Sequence, residues 1–163
     1  MHWPRIILIT IGLILVLLPA TTLLVCAQDA TKRQAEFNLK NGTLAVEGYD
    51  VVSYFQGKPQ RGKKDLSYTY KGITYWFATP ENLELFKSNP QRFEPQYGGW
   101  CAYAMGLDGS KVKVDPKTYK IVDGKLYLFY NFYFNNTLID WNNNERALQQ
   151  AADANWQKIM HKK

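Results

Sequence analysis

The first 27 residues constrain this chain more than any other stretch. Ile6 to Val25 is a 20-residue apolar run interrupted only by Thr, Gly and Pro, and it follows Arg5. Val25-Cys26-Ala27 then places small side chains at the two positions a signal peptidase reads. A run of that length also matches the thickness of a bilayer core. Residues 1–27 are therefore expected to be a signal peptide cut after Ala27, or an anchor that stays in the membrane. Leu23-Leu24-Val25-Cys26 resembles a lipoprotein box as well, although Val25 is bulkier than the residue that usually precedes a lipidated cysteine. Each reading exports the remainder, to the periplasm or the outer face of the cytoplasmic membrane, and leaves residues 28–163 to build the fold.

That remainder reads as one domain. Residues 28–41 are polar and charged and read as a tether, with the folded unit over 42–160. Leu44 to Val46 suggests a short strand, followed by a turn at Gly48 and a compact segment from Asp50 to Phe55. In "LSYTYKGITYWFAT" large side chains alternate with polar ones on both sides of Lys71-Gly72, the period-two pattern of a hairpin with one buried face. Thr79-Pro80-Glu81 supplies a capping hydroxyl, a proline whose missing N–H is not needed, and an acid at the positive end of the dipole, so a helix starts there. Asn89-Pro90 stops it. "YKIVDGKLYLFYN" is a second hairpin around Asp123-Gly124. A short helix is expected over Phe132 to Trp141. A longer one runs from Asn142 onward, with Leu148, Ala151, Ala152, Asn155, Trp156 and Ile159 on one stripe. The expected architecture is α+β: a small twisted antiparallel sheet covered by helices.

Charge excludes little and cysteine usage says more. Of 20 basic residues one lies in residues 1–27, leaving 19 against 14 acids. The basic residues are scattered over loops and ends rather than gathered along an aromatic face, so nucleic acid is not an expected partner. Contact with an anionic lipid or wall polymer is compatible with the charge. If Cys26 leaves with the signal, Cys101 in "YGGWCAYAM" is an unpaired thiol in an oxidising compartment, where it must be buried or used. Gly98-Gly99 lets the backbone turn tightly, and free amides of a helix beginning near Trp100 would stabilise a thiolate. Met105 lies four residues on, so a helix puts thiol and thioether on one face, and two soft sulfurs suit Cu(I). Against this, cysteine and methionine are also common core fillers.

Asp50, Tyr97 and Tyr103 are supporting candidates, as hydrogen-bond partners or hard ligands near the sulfur. Each also has a bland reading, as a helix cap for Asp50 and as aromatic packing for the tyrosines. The two histidines, His2 and His161, fall in the apolar leader and the tail, which leaves no parts for a His-ligated metal or a Cys-His nucleophile. An enzyme is therefore not the expected class.

"GYDVVSYF", "YTYKGITYWFATPENLELFKSNPQRFEPQYGGWCAYA" and "IVDGKLYLFYN" with a distal "ADANW" together resemble the exported YHS-domain proteins, over most of Leu44 to Trp156. The cysteines of the broader YHS metal modules correspond here to Ser53, Ala78 and the Asn82-Leu83 region, none of which replaces a thiolate. The exported subgroup carries a cysteine in the "QYGG-aromatic-C-A" segment, with selenocysteine in some members, so the resemblance points to redox or soft-metal chemistry at Cys101. Three readings follow: a copper-handling binding domain using Cys101 and Met105, a thiol redox protein using Cys101, and a non-catalytic interaction module in which Cys101 is inert core.

Overall fold

The computed structural model describes residues 29–162. The readings of residues 1–27 lie outside them. No helix among the described residues is long and apolar enough to cross a membrane.

The segment expected to be a tether is part of the fold. Residues 29–36 form helix α1, and Leu39–Lys40 is strand β1. The correction has a physical cause in Arg33. Its guanidinium is buried, pairs with Glu94, donates to the Lys71 carbonyl at 3.3 Å and lies 4.4 Å from the Phe37 ring centre. Phe37 packs on Trp156 at 5.7 Å, and the Trp100 indole donates to the Glu36 carbonyl at 2.7 Å. A sequence polar in composition thus docks through one buried cation and one ring.

Both predicted hairpins form. β3 (Lys63–Tyr70) and β4 (Ile73–Phe77) pair antiparallel around Lys71-Gly72, whose φ values of 45° and 80° belong to a two-residue primed turn. Ile73, Tyr75 and Phe77 all face the core. β5 (Asp115–Val122) and β6 (Lys125–Phe129) meet at Asp123-Gly124 in the same way. The first sheet is ordered β1-β2-β4-β3, and β2 (Leu44–Ala45) runs parallel to β4, so the expected α+β class is met with a mixed rather than purely antiparallel sheet. The predicted strand through Val46 stops one residue early, because Val46 leaves the sheet at φ 46°.

Helix α2 (Pro80–Ser88) is capped by the Thr79 hydroxyl, which accepts from the Asn82 amide at 3.2 Å, and short α3 (Pro90–Phe93) follows it. After α4 (Ala102–Leu107) and the second hairpin, the helix expected over Phe132 to Trp141 is replaced in its first half by strands. β7 (Asn131–Phe132) and β8 (Asn135–Asn136) turn at Tyr133-Phe134, both left-handed at φ 53° and 64°. α5 (Thr137–Asn143) starts only where the Asn136 side chain accepts the Leu138 N–H. α6 (Glu145–His161) is the predicted C-terminal helix.

Two apolar clusters result. One gathers Val51, Tyr54, Ile73, Tyr75, Phe77 and Phe86 between the first sheet and α2; Cys101 and Leu128 belong to it. The other gathers Ala102, Met105, Tyr127, Phe129, Trp141 and Ala152 under α4, α5 and α6.

Candidate functional site

The Cys101 segment lies on the seam between these clusters. Before it, Gln96–Gly99 form a 3-10 turn in which Tyr97, Gly98 and Gly99 all have left-handed φ, of 55°, 60° and 83°. A Cβ on Gly98 would stand 2.8 Å from both Phe37 and Trp156. The Gly98 carbonyl accepts the Asn38 N–H at 2.9 Å, and Gly99 accepts the Asn38 side chain at 3.0 Å. These glycines admit the α1 segment. The tight turn expected at Gly98-Gly99 forms, and the space it opens is taken by Phe37, Asn38 and Trp156.

Cys101 is the residue before α4. Its N–H donates to Val112 at 2.9 Å and its carbonyl accepts from Met105 at 3.0 Å. The side chain is fully buried. Its sulfur sits in a closed hydrogen-bond circuit. The Tyr130 N–H donates to Sγ at 3.4 Å; Thr137 Oγ1 lies 3.4 Å from Sγ and donates its one proton to the Tyr130 carbonyl at 3.0 Å. With the hydroxyl proton so used, the Cys101 S–H is the donor to Thr137. The Tyr130 carbonyl also accepts the Thr137 backbone N–H at 3.0 Å, so the start of α5 is tied to the residue after β6 by main chain and side chain together.

The other candidates go elsewhere. Met105 is also fully buried but packs in the second cluster, with Tyr127, Phe129 and Trp141. Asp50 is buried and accepts from the amides of Val52 and Ala78, both at 2.9 Å, and from the Asn82 side chain at 2.6 Å. It staples the 3-10 turn Ser53–Gln56 to the start of α2. The Tyr97 hydroxyl donates to Asp153 on α6 at 2.9 Å, and burial, aided by that carboxylate, holds the phenol well above its usual range. Tyr103 is half-buried and walls a cleft of about 310 Å³ whose floor includes Cys101 and whose sides include Leu107, Tyr130 and Thr137.

Among the described residues no three His, Cys, Asp or Glu side chains converge as metal ligands. For the copper that the sequence suggests, the donors present are two buried sulfurs in separate packing environments, one already hydrogen-bonded. They do not form a ready chelate. Thr137 and Tyr130, which define the sulfur's surroundings, were not among the sequence candidates, since nothing local marks a threonine 36 positions away as a partner. Comparison with protein-family models, curated proteins and solved structures finds no match for this chain.

Proposed function

We propose that this chain is a non-catalytic, exported binding module of YHS-like character, in which Cys101 serves the scaffold. The closed circuit through Tyr130 and Thr137 carries this reading. A thiol that donates one hydrogen bond and accepts another, with no exposed surface, is spent on holding β6, α4 and α5 together. Cys101→Ala leaves the Tyr130 amide without its acceptor and opens a small cavity, and is expected to cost about 1–2 kcal/mol in thermal or denaturant unfolding of the full chain. Mass mapping of the Cys101 peptide after alkylation is expected to show label only on unfolded protein. Rapid labelling of Cys101 in the native chain would overturn the reading.

One observation favours the copper reading as a second: the cleft of about 310 Å³ walled by Tyr103 has Cys101 in its lining. A Cu(I) competition titration of the full chain against Cys101→Ser separates the two. Equal affinity supports the scaffold role, and a loss confined to the variant supports the metal.

A further inference from the structure

A second groove, remote in sequence from Cys101, is built differently. It encloses about 510 Å³ between β2, the 3-10 turn Val46–Gly48 and the start of β3, with the half-buried Trp76 indole in its lining. Three cations stand on its rim, Lys40, Arg61 and Lys64, against the single carboxylate of Glu47. All four side chains are exposed, and among the described residues neither Lys40 nor Lys64 enters an ion pair. Arg61 donates one hydrogen bond to the Glu47 carbonyl, at 3.2 Å, and lies 4.7 Å over the Tyr49 ring, which fixes its guanidinium at the groove with donors to spare.

The backbone there is held in unusual conformations. Val46, Glu47 and Gly48 are consecutive left-handed residues with φ of 46°, 52° and 83°. A β-branched residue in that region is an outlier, and such conformations concentrate where a chain is shaped for a ligand. The turn presses Gly48 to the indole, where a Cβ would stand 2.9 Å from Trp76 Cε3. The β3–β4 ladder breaks between Lys63 and Ser67, in the stretch that carries Lys64.

We infer that this groove binds an acidic oligosaccharide, with a sugar ring packed on Trp76 and its carboxylates paired with Lys40, Lys64 and Arg61. Surplus positive charge selects an anion. The aromatic wall selects a ligand with an apolar face, and the neutral groups of Asn41, Thr43 and Thr74 match sugar hydroxyls. Single-stranded nucleic acid is the weaker fit, because it calls for a row of aromatic platforms and the groove offers one indole. The inference rests on the reading of the domain as a binding module and names its ligand class; no residue of the Cys101 segment lines the groove.

The test is a calorimetric titration of the full chain with an oligogalacturonate, beside a neutral maltooligosaccharide of equal length and a single-stranded oligonucleotide. The expected result is binding of the acidic sugar alone, weakened about tenfold by the double variant Lys40→Gln with Lys64→Gln. That variant alters only exposed side chains, and Cys101→Ser should bind as the parent does. Trp76→Phe should weaken binding while leaving the salt dependence in place. No binding of the acidic sugar, equal binding of the neutral one, equal or tighter binding of the oligonucleotide, or an unchanged affinity in the lysine double variant would each overturn the assignment. Those outcomes leave the scaffold role of Cys101 standing, which the labelling of Cys101 tests separately.

Discussion

Around Cys101 every polar atom is spent, whereas around Trp76 several are not. The sulfur's neighbours form a circuit that closes on itself, and the space beside Gly98 is filled by Phe37 and Trp156. The groove at Trp76 keeps two lysines without an ion pair among the described residues, beside a left-handed turn whose Glu47 is exposed. Both regions use left-handed backbone and close glycine contacts. They differ in what occupies the space so made: the protein itself in the first, and open groove in the second. A reactive residue type is therefore a poorer guide to a site than the polar groups left over once the fold is complete.

Paired glycine substitutions sharpen this contrast most. A Cβ on Gly62 would meet the Trp76 backbone at 2.4–2.5 Å, where nothing can give way, while one on Gly98 would meet ring atoms at 2.8 Å. Gly62→Ala is expected to cost about 3 kcal/mol and Gly98→Ala about 2 kcal/mol in thermal unfolding, in that order. The reverse order would mean that the Trp76 side of the sheet yields more easily than the α1 interface.

A smaller effect has the opposite sign. Glu47 is exposed at φ 52°, so Glu47→Gly removes strain without removing core contacts and should stabilise the fold by about 0.5–1 kcal/mol. The same change deletes the groove's one carboxylate and should tighten binding of an acidic sugar. Destabilisation would show that the left-handed turn is not strained, and the comparison would lose one of its two halves.

The smallest effect at neutral pH emerges only in base. Burial raises the phenols of Tyr54 and Tyr75 in the first cluster, and of Tyr97 and Tyr127 in the second, above the ordinary value of 10; Tyr127 is pushed up to about 12. The folded state keeps protons that the unfolded chain releases. Stability that is complete below pH 10 therefore falls as pH rises from 10 through 12. Tyr127→Phe should flatten that decline in alkaline unfolding curves, and an unchanged slope would leave the decline to Tyr54, Tyr75 and Tyr97.

Much of the fold was legible where its signals are local. Lys71-Gly72, Asp123-Gly124 and Thr79-Pro80 each specify a turn or a cap within four residues, and all three behave as expected. What depends on distant partners was not legible. Arg33 reads as a solvated charge until Glu94, 61 positions away, is brought to it. Tyr133-Phe134 carries none of the Asn-Gly signature of a primed turn, so the β7–β8 hairpin was hidden behind an apolar run that suits a helix. The CxxxM spacing placed thiol and thioether one helical turn apart, and the structure keeps that turn, but the seam between two cores runs between the two sulfurs. At the site, residue type drew attention to Cys101, while Val46 gave no hint of its left-handed backbone because only the surrounding sheet imposes it.

The docking of α1 also has a consequence for reach. Only Cys26, Ala27 and Gln28 separate the apolar run from Asp29, the first described residue, a span of at most roughly 14 Å at full extension. With Arg33 clamped to Glu94, residues 29–40 add no slack to that leash. On the anchor reading of residues 1–27, that short reach would hold the domain close to the bilayer and narrow the range of heights it can sample.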